Sequence, residues 1–231
     1  MSVKQVDMPG FGQVAIYKRR DSRALKITID HNNRIRVSMP SWLPYRTALE
    51  FVKSKESWIA QHRRPHTILK PGLAIGKAHR LEYITKQSPG KVSYRLVGQV
   101  VRISLSSDTV YTDLAAQGAA RRGVTSALRK EAKALLPMRL KQLALQHDFD
   151  YSSVDIKQLR SRWGSCTQQS HITLNLFLMQ LPWQLIDYVI LHELTHTKYL
   201  HHGSDFWKHL ESCMPHAKTL RKQLRTFQPN F

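Results

Sequence analysis

From Gly12 onward apolar and polar residues alternate, in QVAIYKRR, then ALKITID, then RIRVSMP. A period of two marks half-buried strands, and the short HNN at His31 to Asn33 predicts a hairpin between the last two. The period then changes. Behind Pro44, the positions Leu49, Val52, Lys53, Glu56, Ile59 and Ala60 recur every three to four residues, which predicts a helix over 45–63 that Pro65 stops. Residues 70–110 return to alternation in HRLEYI, KVSYRLV and VVRISL, separated by QSPG and a turn at Gly98, and predict a second small antiparallel sheet.

From Tyr111 the text shifts to Ala, Leu, Lys and Arg. TDLAAQGAARRGVTSALRKEAKALLPMRLKQLALQHDF is helix-forming for most of its length, weakened or kinked at Gly118, Gly123 and Pro137. The shift predicts a boundary near residue 112, between a β-rich basic region (1–112) and a more helical one (113–231). No internal repeat or low-complexity segment is evident. SSVDIKQLRSRWGSC reads as a strand entering a turn, and HITLNLFLM as a second strand. Pro182 opens PWQLIDYVILHELTHTKYL, in which Leu185, Ile186, Val189, Ile190 and Leu194 form one apolar helical stripe. Gly203 ends that run, and Ser204 is placed to cap a further helix, DFWKHLESCM.

A chain of 231 residues can bury a core without disulfide or metal staples. No apolar run approaches the roughly eighteen residues of a membrane span. The opening MSVKQVDMPG lacks the apolar centre of a secretory signal, and Cys166 and Cys213 form no C-x-x-C pair, so a cytoplasmic protein with reduced thiols and no membrane partner is expected. Charge changes the picture more. Lys and Arg number 36 against 16 Asp and Glu, a formal net charge of +20 spread over both halves. Such a surface attracts polyanions, nucleic acid first among them, although a solvated basic surface accounts for it equally well.

The candidate chemistry lies in HELTH, residues 192–196. Residues four apart on a helix lie one turn above each other with Cβ atoms about 5 to 6 Å apart, so His192 and His196 face the same way and can share one metal ion. Glu193 is rotated by about 100° around the axis, close to the ion without having to bind it. That is the position of a general base: a zinc-bound water has its pKa lowered toward about 7, and the neighbouring carboxylate can take its proton. A catalytic zinc needs a third protein ligand. His202 can supply it only if the helix breaks near Leu200 and the chain folds back, which Gly203 and Ser204 favour. His201, Asp205, His209, Glu211 and His216 compete for that role, with Glu211 the second choice.

RWGSC at 162–166, ITLN at 172–175, the run from Pro182 through IDYVILHELTH, and HHGSDFW at 201–207 together resemble the YgjP-like metallopeptidase-domain proteins, which are related to the SprT-like and WLM zincins. Weaker similarity reaches back through RALKITIDHNNRIRVSMP and EFVKSKESWI. The family pattern is H-E-L-x-H, a His six residues after the second His, then a Phe-Trp pair. Carried over by position, it implies His192, His196 and His202 as ligands of one Zn2+ and Glu193 as the catalytic carboxylate. His201 stands where the family commonly has Asn, which keeps it in contention as third ligand. Metzincins share the six-residue step but place Gly where this chain has Tyr199, so that subclass is rejected. The resemblance further implies that RWGSC and ITLN are strands beside the active helix, where an extended peptide can pair along an edge, with Arg162, Trp163 and Asn175 orienting substrate or ligands. Trp163 and Trp207 fit a core role better, and Cys166 a small buried one. Tyr199, Tyr188 and His171 are unranked candidates for the donor that stabilises the transition state.

The expectation is therefore an α+β protein: a β-rich N-terminal half with one helix, then a zincin-like helical half with a small sheet and an HExxH active-site helix. Its expected activity is zinc-dependent hydrolysis of peptide or protein. A rival class is a basic nucleic-acid-binding module with a structural or vestigial zinc, which would call for a fourth ligand such as His201 or Asp205. A hybrid would act on DNA-bound protein, as related SprT-like and WLM proteins do. A third class is an interaction protein with no metal.

Overall fold

The first alternating stretch builds a four-stranded sheet from β1 (Ser2–Met8), β2 (Gly12–Arg19), β3 (Lys26–Ile29) and β4 (Ile35–Pro40), in the order β1-β2-β4-β3. The computed structural model describes residues 2–29, 34–62, 68–87 and 90–228. The HNN turn, Pro65 and the Ser88–Pro89 part of QSPG lie outside them. β3 and β4 pair antiparallel as a hairpin would, with Ile29 opposite Ile35, whereas β2 and β4 run parallel. Val14, Ile16, Ile35 and Val37 point inward and are fully buried with Ala48, Val52 and Ile59 of the following helices.

The single helix expected over 45–63 is two, α1 (Tyr45–Ser54) and α2 (Glu56–His62). The Ser54 hydroxyl donates to the Phe51 carbonyl at 2.9 Å, the acceptor that the Lys55 amide would use in an unbroken helix. The Lys55 amide turns to Val52 instead, and the helix restarts one residue later.

The second alternating stretch gives β5 (Ala74–Ile75), β6 (His79–Thr85), β7 (Ser93–Val97) and β8 (Val100–Leu105), ordered β5-β6-β8-β7. The expectation of an antiparallel set is corrected: β6 and β8 are parallel, and β7 lies outside β8. β8 carries the fully buried Val101 and Ile103 and takes the central place, while the mostly exposed β7 takes the edge. This strand order repeats that of the first sheet, a topological repeat that the two sequences do not display.

Two compact units stand out, Met1–His66 and Thr67–Phe231. Two buried polar side chains of the long helix α3 (Leu114–Gln146) bind the second sheet into the C-terminal unit. Gln117 accepts from the Leu69 amide at 2.8 Å and donates to the Leu69 and Tyr111 carbonyls. Glu131 accepts from the amides of Lys77, Ala78 and His79 and from His79 Nδ1 at 2.6 Å. At Gly123 an added Cβ would stand 2.6 Å from Val101 Cγ1, so the glycine lets helix and sheet approach closely. Pro137 is accommodated within the helix.

The rest of this unit holds a third sheet, β9 (Ser153–Lys157), β10 (Gly164–Cys166) and β11 (His171–Asn175), ordered β10-β11-β9, with β11 parallel to β9 and antiparallel to β10. The second strand expected here stops at Asn175, whose side chain accepts from the Phe177 amide and starts a short 3-10 turn over Leu176–Gln180. Three helices follow, α4 (Trp183–Lys198), α5 (Ser204–Cys213) and α6 (Ala217–Leu224). Ser204 is the first residue of α5 rather than its cap, a place taken by Gly203. Among the described residues the architecture is mixed α+β, with six α-helices and three small mixed sheets, and no helix is long and apolar enough to cross a membrane.

Arg139 of α3 grips Asp187 of α4 with two hydrogen bonds, 2.7 and 2.6 Å, which hold its pKa above the ordinary arginine value. Asp187→Ala is expected to cost about 2 kcal/mol in chemical denaturation, the range of a charge-assisted bidentate pair that is partly shielded from water.

Candidate metal centre

α4 is buried around most of its girth: Leu185, Ile186, Val189, Ile190 and Leu194 of the expected stripe are joined by Tyr188, Leu191, Glu193 and Thr195. Its last turn carries the histidines. His192 and His196 project to the same side, ring centroids 4.9 Å apart. The helix ends at Lys198, and Tyr199 turns the chain out in an extended conformation. The Gly203 amide then closes back on the His201 carbonyl at 2.8 Å, which brings the His202 ring onto His192 with centroids 4.9 Å apart and planes 29° apart. The Nε2 atoms of His192 and His202 stand 3.0 Å apart, and one ligand nitrogen from each of His192, His196 and His202 falls within 4.8 Å of the others. Phe206, 1% exposed, packs against all three rings at 4.7 to 5.0 Å between centroids.

These residues fit a metal ion. His196 Nδ1 lies 3.0 Å from the Tyr199 carbonyl, which can only accept, so the proton sits on Nδ1 and the Nε2 lone pair is free. Burial, reinforced by His196, His202 and Arg221, lowers the His192 pKa to about 3. Burial also lowers those of His196 and His202. At neutral pH all three imidazoles are therefore uncharged, the form that binds metal.

Glu193, 6% exposed, turns toward β10. An added Cβ at Gly164 would meet its Oε1 at 2.7 Å, so the glycine of RWGSC is the space in which this carboxylate sits. Burial pushes the Glu193 pKa up to about 8, against the pull of the Arg162 guanidinium. Cys166, on the same strand, is pushed up to about 11 by burial and by Glu193, which keeps its thiol protonated.

The other expected residues lie as follows. Arg162 is exposed and acts on Glu193 through its charge. Asn175 is fully buried and holds the loop before β10, its amide donating to the Leu159 and Arg162 carbonyls. Tyr199 serves His196 through its carbonyl while its ring faces His209. Tyr188 is buried one turn before His192, centroids 5.9 Å apart. His171 faces Ser153 and Asp155. Glu211 pairs with Lys218, and His209 packs on Phe149 and Tyr199. Neither stands in the histidine cluster, and neither do His201, Asp205 and His216. Trp163 and Trp207 pack partly buried against the core, and Trp207 Nε1 also donates to the His202 carbonyl at 3.2 Å. Sequence reasoning gave Phe206 only as half of the Phe-Trp pair of the family pattern, not as the floor of the cluster, and did not single out Arg221, whose charge acts on His192.

A family model described as "YgjP-like, metallopeptidase domain" matches residues 23–227. Among curated proteins none matches. Solved structures that match include the metallopeptidase zymogen of Pyrococcus abyssi abylysin, 23% identical, covering 42% of this chain and 99% of that one with a TM-score of 0.37. The metallopeptidase zymogen of Methanocaldococcus jannaschii jannalysin is 20% identical, covering 39% of this chain and 93% of that one with a TM-score of 0.35. With nearly its whole length matched, the chain belongs to the YgjP-like metallopeptidase-domain family.

Proposed function

We propose that this protein is a zinc-dependent metallopeptidase in which His192, His196 and His202 hold one Zn2+ and Glu193 is the general base. The observation that carries this is the convergence of three uncharged imidazoles at the end of a helix that also carries the buried Glu193, next to His192 in the chain. A catalytic zinc keeps three protein ligands and an open position, whereas a structural one is enclosed by four. His201 and Asp205, the candidates for a fourth, stand outside the cluster, which favours the catalytic alternative.

When bound, zinc supplies Lewis acidity, polarising a peptide carbonyl and easing loss of a proton from water. The Tyr199 carbonyl fixes the His196 ring so that Nε2 faces the shared centre. Phe206 closes the side of the three rings away from solvent. Glu193 takes a proton on its carboxylate from the attacking water and returns it to the leaving amine; burial lifts this carboxyl to about 8 in the metal-free protein, and the positive charge of a bound cation would draw it back down into the range in which it can do both. β10 stands at the edge of its sheet beside α4, where an extended peptide can add as a further strand.

Elemental analysis of purified protein is expected to find one zinc per chain, and of His192→Ala none. A His192→Ala protein with undiminished zinc would remove this centre from the account. The net charge of +20 supports nucleic acid as an additional partner. Peptide cleavage with and without DNA across a salt series tests that, an unchanged rate counting against it.

A further inference from the structure

The last helix, α6, brings to the candidate centre an arginine that no carboxylate of the described residues neutralises. Arg221 lies over the Trp207 ring, its Cζ 4.8 Å from the ring centre. Trp207 is itself fixed: its indole N–H donates to the His202 carbonyl, and its ring lies 29° from parallel with that of His202, centroids 6.0 Å apart. The guanidinium is thus held one aromatic ring away from a metal-binding imidazole, close enough for its charge to act on His192, His202 and Tyr188. Arg225, one turn later, also acts on Tyr188. The acid nearest along this part of the chain, Glu211, is taken by Lys218. Among the described residues neither Arg221 nor Arg225 forms an ion pair.

The charge balance points outward from the protein. Three neutral imidazoles leave the charge of a divalent cation uncompensated, Glu193 is the only carboxyl among the described residues of the last turn of α4, and Arg162, Arg221 and Arg225 add positive charge. An arginine stacked on an aromatic ring keeps its edge donors free in a fixed plane, the geometry that receives a carboxylate through two parallel hydrogen bonds.

We propose that Arg221, held over Trp207 and supported by Arg225, forms a subsite for a carboxylate of the substrate, which makes this enzyme selective for acidic peptides. The inference rests on the peptidase assignment above and adds the substrate class. The carboxylate has two sources, an acidic side chain near the scissile bond or the peptide's own C-terminus.

The test uses the full-length, zinc-loaded Glu193→Gln protein and three fluorescein-labelled peptides of one sequence. The first carries Glu and an amidated C-terminus, the second Gln and an amidated C-terminus, and the third Gln and a free C-terminus. Fluorescence anisotropy is expected to show one of the two acidic peptides binding roughly tenfold or more tightly than the neutral one. Which of them does so identifies the source. Adding Arg221→Met, which keeps an unbranched chain against Trp207 without the charge, is expected to bring the three dissociation constants together. Arg221→Lys is expected to restore only part of the preference, and circular dichroism checks that each variant is folded. Equal binding of all three peptides by the parent, or a preference that survives Arg221→Met, overturns the proposal. In parallel, the unsubstituted enzyme is assayed for cleavage of the same peptides. Cleavage of all three alike overturns the subsite and leaves the peptidase standing, whereas failure to cleave or bind any of them removes the peptidase assignment and the subsite with it.

Discussion

Replacing Glu193 with Gln is expected to slow peptide hydrolysis by roughly 10²- to 10⁴-fold, the contribution of a positioned general base, while one zinc stays bound. The same substitution is expected to stabilise the metal-free protein at alkaline pH. Burial raises the Glu193 pKa from its ordinary 4.5 to about 8, so between those values the folded state holds a proton that the unfolded state has lost. The stability tied to that proton is complete below about 4.5 and is lost as pH rises through about 8. Gln carries no such charge. Well above pH 8 the metal-free Gln variant should therefore exceed the parent by up to on the order of 5 kcal/mol, and near pH 4 the two should coincide. Comparing the two proteins in urea at several pH values removes the histidine contributions, which are common to both. A difference that grows as pH falls would contradict the burial of an ionisable carboxyl at this position.

Glu131→Ala carries the largest expected loss of stability. Glu131, 5% exposed, is the acceptor for three consecutive backbone amides and for His79, itself 7% exposed. Deleting the carboxylate leaves these donors buried without a partner, and a broken buried polar network of this kind costs about 3 to 5 kcal/mol. That is a large share of the roughly 5 to 15 kcal/mol by which a domain is stable. The damage should reach the metal helix, because Lys77, whose amide Glu131 holds, also donates through Nζ to the Leu181 carbonyl just ahead of α4. Urea unfolding of the variant is the check, with a lowered midpoint and a lower zinc content expected together. A midpoint within a few tenths of a molar of the parent would show that water replaces the carboxylate at little cost.

The two substitutions mark where sequence reasoning reached and where it stopped. His192 and His196 were legible because helical spacing alone puts them on one side, and His202 because Gly203 offers the turn that folds it back. Buried side chains that bridge distant segments were not: nothing local ties Glu131 to residues 77–79 or Gln117 to Leu69. Alternation gave the faces of the strands but not their neighbours, since the inward residues of β7 and β8 keep period two whichever strand is central. The break at Lys55 turned on one serine hydroxyl. Nothing in the sequence singled out Arg221, because its place over Trp207 depends on how α5 and α6 pack.

The most direct test of the centre is anomalous diffraction at the zinc absorption edge from crystals of the zinc-loaded protein. The account predicts a single peak per chain, about 2.0 to 2.1 Å from one ring nitrogen of each of His192, His196 and His202, with no fourth protein ligand. A peak at some other group of side chains, a fourth ligand from His201 or Asp205, or no peak at all would contradict it.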